Sequence, residues 1–423
     1  SVSSELYFCS VPLGKRASCR RSHLRPGGLE RSLKLRVTGI DYCHPMSDKS
    51  IFIRLVRKAV QISDMAKSYL WQDADFPYFY HNPAVVAPLE AAFQAKVALL
   101  DKRLNNQNTA FADVFAEEIV ANSEIEGVLL NRESVHSSFV ENIIPVREKE
   151  QGAVALTRMA LENADGPLTH ELLFEMHRQI LKGSHGFPAK SIGAYVGNMK
   201  IVSGTRMDRE PEIIHEGVSQ KLVHQKMTEF IEWFNQCPTG SPLLNAIQGH
   251  VHFETLHPFC DGNGRIGRNL ILMGLCRDLG RATPLALSRS FNAHVETYYS
   301  QFEAGLDLTK TIQSMAPLFL NAVSETERIL ELTAYRTRVA DQKDSLNERQ
   351  LKVLNRLIDY ELRGGFAGGM NNTKYQKMTS IGDRTALRDL NDLEARALMV
   401  KVGKLKGTRY YLNVPHLIKG LTL

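Results

Sequence analysis

The sequence predicts a mainly α-helical protein that carries a small β-hairpin flap among its helices and ends in a winged helix-turn-helix domain. Three observations carry that prediction. From Phe111 to about Ala340, stretches with helical periodicity follow one another, each bounded by turn residues. One stretch among them, GAYVGNMKIVSGTRMDREPEIIH at 193–215, is β-branched and punctuated by glycine, as a hairpin is. Beyond Ser345, three helical patterns lead into two strand-like runs joined at a basic glycine-containing turn, VKVGKLKGTRYYL.

A chain of 423 residues with 43% hydrophobic content has room for several cores. Residues 1–65 are basic and rich in Ser, Gly and Pro without sustained periodicity, so they read as a poorly ordered extension, with Met46 and Met65 as alternative starts. Residues 66–165 form a helical region. It opens on the aromatic WQDADFPYFYHNP and continues into an amphipathic helix. Residues 166–338 are the central helical domain, with helices expected at 170–183, 218–236, 242–256 and 269–280. Residues 339–423 form the terminal module, where Ser345 is placed to cap the helix ahead of Glu348 and glycines 364–369 close it.

The net charge of +6 is unevenly spread. Residues 1–50 hold nine Lys/Arg against four Asp/Glu and residues 340–423 hold fifteen against nine, so both ends are basic and the middle is mildly acidic. Cysteines 9, 19, 43, 237, 260 and 276 form no CxxC pair, which fits reduced thiols better than a disulfide framework. No window approaches the roughly 18 apolar residues of a bilayer span, and the first twenty residues lack an apolar signal core. A cytoplasmic protein without a membrane partner is the expectation.

The densest chemistry lies in LHPFCDGNGRIGRN, 256–269. A calcium loop is excluded, because Arg265 and Ile266 stand where a ligand and a glycine belong and Leu272 stands where a glutamate should close the cage. One zinc cannot collect His250, His252 and His257, since 250 and 257 lie two helical turns apart and 252 faces away. A phosphate site uses every polar group. Gly262 and Gly264 let successive N–H groups turn toward one point, and a helix from Ile266 adds its N-terminal amides. Asn263 adds a side-chain donor, and Arg265 and Arg268 share a face on which to grip a polyphosphate. Asp261 is placed to hold Mg²⁺ against the phosphates. His257 ends the preceding helix and, as an imidazole, can accept a proton from an attacking hydroxyl. Together these residues specify transfer of part of a nucleoside triphosphate to a hydroxyl.

HPFCDGNGRIGR resembles the Fic motif, His-Pro-Phe-x-Asp/Glu-Gly-Asn-Gly-Arg-x-x-Arg, at every fixed position. The resemblance implies a helical enzyme that moves AMP from ATP to a Ser, Thr or Tyr hydroxyl of a target protein and releases pyrophosphate. It makes His257 the general base, Asp261 the Mg²⁺ ligand, and Gly262, Asn263, Gly264, Arg265 and Arg268 the phosphate cradle. It also implies that 193–215 is a flap holding the target segment by strand addition, and that Tyr298, in HVETYYSQFE, borders the adenine pocket. Upstream, ANSEIEGVLL resembles the family's inhibitory helix, Ser/Thr-x-x-x-Glu-Gly/Asn: Glu126 and Gly127 fit, and Asn122 takes the Ser/Thr position. In such proteins the glutamate pairs with the second motif arginine, here Arg268, and blocks the γ-phosphate. The segment from WQDADFPYFYHNP through SEIEGVLL, 71–130, also resembles the N-terminal domain of one bacterial Fic subgroup. Self-modification and a homodimer are further partners the resemblance leaves open.

In the terminal module, Arg384, Thr385 and Arg388 lie near the start of the second helix of the turn and Lys404, Lys406 and Arg409 lie on the wing, an arrangement suited to DNA. Asp383, Asp389, Asp392 and Glu394 share that helix and oppose DNA unless they face away. A Fic enzyme that uses another nucleotide or removes AMP is an alternative function. So is a transcriptional regulator that senses nucleotide and binds DNA.

Overall fold

Asn82 starts the first helix: its Oδ1 accepts the Ala84 N–H at 3.0 Å, and Pro83 follows at the first helical position, where its missing N–H costs nothing. The computed structural model describes residues 69–104, 110–140, 147–203, 212–238, 240–419 and 421. The readings of 1–65, of the Met46 and Met65 starts, and of the flap tip at 204–211 lie outside these residues.

The helices of the N-terminal region are α1 (Pro83–Leu104), α2 (Ala110–Ile125), α3 (Arg132–Val140) and α4 (Glu148–Glu162). Next come α5 (His170–Ile180), capped by Thr169, and an antiparallel hairpin of β1 (Lys200–Ser203) and β2 (Glu212–Glu216). The hairpin overlaps the predicted flap and runs one residue past it, to Glu216. Then follow α6 (Val223–Gln236), α7 (Pro242–Leu256), α8 (Asn263–Leu279), α9 (Leu287–Ala293), α10 (Val295–Tyr299) and α11 (Thr309–Asp341). The chain closes with α12 (Glu348–Leu362), α13 (Asn372–Thr379), α14 (Asp383–Ala395), the antiparallel pair β3 (Met399–Val402) and β4 (Arg409–Leu412), and α15 (Pro415–Ile418). The molecule is mainly helical, as the sequence predicts.

The centre is the α7–α8 hairpin, and most residues of both helices are buried. A helix apolar on all sides must be wrapped by others. Glu90 of α1 caps α7, its carboxylate accepting the Leu243 and Leu244 N–H groups at 3.2 and 2.9 Å. Gly267 lets α8 approach α7 closely: a Cβ there would lie 2.8 Å from Glu254 Oε1.

Several expectations are corrected. The second helix of the central hairpin starts at Asn263, not at Ile266 or Asn269, because Gly262 takes φ +78 and turns the chain directly into it. Ser345 does not cap α12. Asn347 does, in a reciprocal capping box with Gln350, while Ser345 closes a short 3-10 turn. The boundary at 338 falls inside α11, whose Tyr335 is buried and donates to the Leu398 carbonyl at 2.6 Å. One apolar core runs from α1, α7 and α11 into the terminal module through Leu354, Tyr375, Leu390 and Tyr410. The expectation of no span-like segment also fails on composition. Pro83–Arg103 is 21 residues long with mean hydropathy 1.3, which meets the length and apolarity of a bilayer span. Here it buries Phe93, Val97 and Leu100 in that core.

Candidate active site

The α7 helix stops at His257 because the residue adopts φ +45, a left-handed conformation, while its N–H still bonds the Phe253 carbonyl at 3.0 Å. This places the imidazole at the mouth of the loop between α7 and α8. One turn back on the same face is Glu254, whose Oε2 lies 3.5 Å from His257 Nδ1, both side chains almost wholly buried. Burial alone would push the Glu254 carboxyl up. Contact with His257 and the positive field of His250 and Arg268 outweigh it and hold the carboxyl below its ordinary value. An ionised Glu254 against Nδ1 favours the tautomer that keeps Nε2 available as an acceptor. Sequence reasoning missed Glu254, although its i,i+3 spacing from His257 was the available signal.

The hairpin packs against this point. Val218 N–H bonds the Leu256 carbonyl at 3.0 Å and Val196 N–H bonds the Pro258 carbonyl at 2.7 Å. The His215 ring of β2 reaches the Thr255 carbonyl through Nε2 at 2.9 Å. Gly217 passes so close that a Cβ would lie 2.9 Å from the His257 Cβ.

Within the loop, Asn263 departs from the role the sequence suggests. Its Oδ1 accepts the Phe259 N–H at 2.9 Å and its Nδ2 donates to the Phe259 carbonyl at 2.8 Å, so the buried side chain orders the loop with its oxygen and one of its two N–H donors. Gly264 departs too. It lies inside α8 and needs no special φ. A Cβ there would stand 2.4 Å from Glu126 Oε1 and 2.9 Å from Arg268 Nη1, so glycine makes room for that pair. Gly262 does need its freedom, at φ +78.

Asp261 and Arg265 face each other, Arg265 Nη2 lying 3.1 Å from Asp261 Oδ2, while Asp261 Oδ1 accepts the Gly262 N–H at 2.7 Å. The buried Nε of Arg265 has no hydrogen-bond partner among the described residues. Both residues line a cavity of about 190 Å³ whose wall includes Asn122 and Ser123 of α2 and Lys149 of α4.

Arg268 is 1% exposed, and α2 holds it. Nε donates to Asn122 Oδ1 at 2.6 Å, Nη2 to the Asn122 carbonyl at 3.0 Å and to Glu126 Oε1 at 2.7 Å, and Nη1 to the Tyr298 hydroxyl at 3.0 Å. Burial opposes the guanidinium charge, but Tyr298 and Glu126 more than offset it and raise its pKa. Gly127, at φ +74, ends the helix just past Glu126.

Tyr298 corrects an expectation. It is buried between His250 and Phe291, stacked on both rings, with its hydroxyl shared by His250 and Arg268. It positions Arg268 and offers no wall to an adenine. Among the described residues no group of three or more His, Cys, Asp or Glu is placed to hold a metal ion by itself. His252 sits among Phe76, Phe230 and Trp233. A magnesium ion that keeps waters and takes most of its oxygens from a nucleotide asks the protein for one or two carboxylates. Asp261, beside the cavity and next to an unsatisfied arginine N–H, fits that demand.

The six predicted contacts of the terminal module lie elsewhere, on α14, in the turn between β3 and β4, and at the start of β4. Arg384, Arg388, Lys404 and Lys406 are exposed, and Thr385 is half-buried. Arg409 is also half-buried and folds back, its Nη1 bonding the Thr408 and Lys406 carbonyls, so it braces the turn between β3 and β4.

Residues 167–275 match the Fic/DOC family, and residues 69–143 match a domain of unknown function, DUF4172. Among solved structures, the chain is similar to a Fic family protein from Desulfovibrio desulfuricans G20, at 18% identity and a TM-score of 0.46 over 79% of this chain and 98% of that one. It is also similar to Fic-1 (residues 134–508) from C. elegans, at 21% identity and a TM-score of 0.42 over 60% and 75%. A Fic domain containing signaling protein from Bacteroides thetaiotaomicron VPI-5482 matches at 18% identity and a TM-score of 0.41 over 58% and 97%.

Proposed function

Because the chain carries a Fic/DOC family domain at 167–275, of a family whose members typically transfer AMP or a similar group, we propose that it is a protein adenylyltransferase restrained by its own helix α2. It moves AMP from ATP to a hydroxyl of a target protein. The observation that carries this reading is the guanidinium of Arg268, engaged by Asn122 of α2, by Glu126 just past that helix's end and by Tyr298, with His257 held by Glu254 on the far side of the same loop.

Each residue then has a task. His257 Nε2 takes the proton from the acceptor hydroxyl as its oxygen bonds to the α-phosphorus. The bond from that phosphorus to the bridging oxygen breaks, and the electron pair leaves on pyrophosphate. Glu254 keeps the ring oriented and stabilises the imidazolium. The first N–H groups of α8, unpaired within the helix, and the free Nε–H of Arg265 receive the phosphate oxygens. Asp261 would hold Mg²⁺, which supplies charge neutralisation on the phosphates. The hairpin beside His257 offers its edge to the target segment.

In the resting arrangement a carboxylate occupies the arginine that a γ-phosphate would use, and charge-assisted pairs of this kind compete directly. Incubating the protein and a cell lysate with Mg²⁺ and ATP labelled on the α-phosphate tests the reading. Label should enter protein strongly with Glu126→Gly and weakly with wild type. Equal labelling of the two, or none with nucleotide bound, would count against it.

A further inference from the structure

The terminal module is not used by that chemistry, and its surface is sorted by charge. Helix α14 turns Ala386, Asp389, Leu390 and Leu393 inward and presents Arg384, Leu387, Arg388 and Asn391 outward. Of the acids that seemed to oppose a polyanion, Asp389 is turned inward and Asp392 and Glu394 are engaged by other side chains. Asp389 is buried and accepts from Arg349 Nε at 3.0 Å, Asn347 Nδ2 at 3.2 Å and the Tyr375 hydroxyl at 3.2 Å. Asp392 accepts from Arg396 Nε and Gln350 Nε2, both at 2.8 Å. Glu394 lies 4.0 Å from Lys401. Asp383 stays exposed at the helix start, where it accepts from Asn372 and suits the helix dipole.

The outward cations have no such partners. Among the described residues, no carboxylate pairs with Arg384, Arg388, Lys404 or Lys406. The wing tip is held out by Leu405, at φ +52 and 92% exposed, between Lys404 and Lys406. Tyr410 of β4 donates to Asn391 at 2.9 Å and so fixes the wing to α14.

We propose that this face docks double-stranded DNA, with the outer side of α14 in the major groove and Lys404 and Lys406 of the wing on the phosphate backbone. A helix of 13 residues is about 20 Å long and fits a groove roughly 12 Å wide. Unpaired cations on a rigid face gain by releasing the counterions of a duplex. The inference stands on the side chains of the terminal module alone and does not depend on adenylyl transfer.

The test uses the full chain and a fluorescent random-sequence duplex, followed by anisotropy across a salt series. Wild type should bind at low salt and release steeply as salt rises. Arg384→Ala with Arg388→Ala, and separately Lys404→Ala with Lys406→Ala, should each weaken binding by roughly tenfold and flatten the log–log salt slope by about 2. Lys352→Ala with Arg356→Ala, on exposed positions of α12, should change neither. Absence of binding by folded wild type at low salt would overturn the proposal and leave the face to a protein partner. So would equal effects of all three pairs, or binding that all three retain, which would place the contact elsewhere on the chain.

Discussion

Glu126 and Arg268 stand 142 residues apart in the chain and meet at 2.7 Å, the carboxylate of one helix end on the guanidinium of another. Glycine at 264 is what lets them meet, since any side chain there would collide with both.

Asn122 takes two further donors of the same guanidinium, Nε through its side chain and Nη2 through its carbonyl. Asn122→Ala would leave a buried Nε–H unsatisfied, at a cost of about 1–3 kcal/mol. Thermal melts should show the loss. Transfer should rise a few-fold in Asn122→Ala and more than tenfold in Glu126→Gly, because only the latter removes the competing charge. An Asn122→Ala protein as stable as wild type would contradict the contact.

Glu254 acts through His257. In the Glu126→Gly background, Glu254→Gln should lower kcat by about tenfold to a hundredfold while leaving KM for ATP nearly unchanged, since the imidazole loses an orienting charge and nothing else moves. Steady-state kinetics with ATP varied decides it. A change confined to KM would assign Glu254 to nucleotide binding.

Glu118, on α2 one turn before Asn122, is buried and receives the Ser288 N–H at 2.7 Å. Burial pushes its carboxyl up to about 7, only partly offset by the Ser288 donors. A folded-state value above the unfolded one means that the native form holds the proton more tightly. The associated stability is full below about pH 4.5 and lost as pH rises to about 7, by an amount on the order of 3 kcal/mol. Urea unfolding at about pH 5 and about pH 8 should show this loss in wild type and much less of it in Glu118→Gln. Parallel profiles would refute the assignment.

Arg289 ties three helices together. Its Nη1 lies 2.7 Å from Glu117 of α2, its Nε 2.9 Å from Glu325 of α11, and its Nη2 donates to the Leu362 carbonyl at the end of α12. Removing it takes one arginine from each carboxylate, leaving Glu117 with Arg132 and Glu325 with Arg328, so Arg289→Ala should cost about 1–2 kcal/mol. Because α2 loses an anchor, resting transfer should also rise. A melting shift with transfer unchanged would separate the anchor from the brake.

Much of the site was legible because its polar residues are contiguous. The run from His257 to Arg268 announces an anion-binding loop by residue type and spacing, and Glu126 was reached by resemblance. What escaped were uses settled by tertiary contact. Nothing local says that Asn263 is engaged by Phe259, that Gly264 exists for a side chain 138 positions upstream, or that Tyr298 faces inward between His250 and Phe291. The helix start at Asn263 was missed because a left-handed glycine cap resembles loop sequence. The acids of α14 looked hostile to DNA because sequence cannot show that Asp389 and Asp392 turn toward α12.

With Arg268 free, His257 acts as the base that lets a hydroxyl take AMP from ATP. The most direct measurement compares Glu126→Gly with Glu126→Gly/His257→Ala, using Mg²⁺ and ATP labelled in parallel on the α- and γ-phosphates, and counts label on protein. Protein in Glu126→Gly reactions should carry α-label and no γ-label, and neither should appear with the double variant. Protein-bound γ-label, or α-label undiminished without His257, would contradict it.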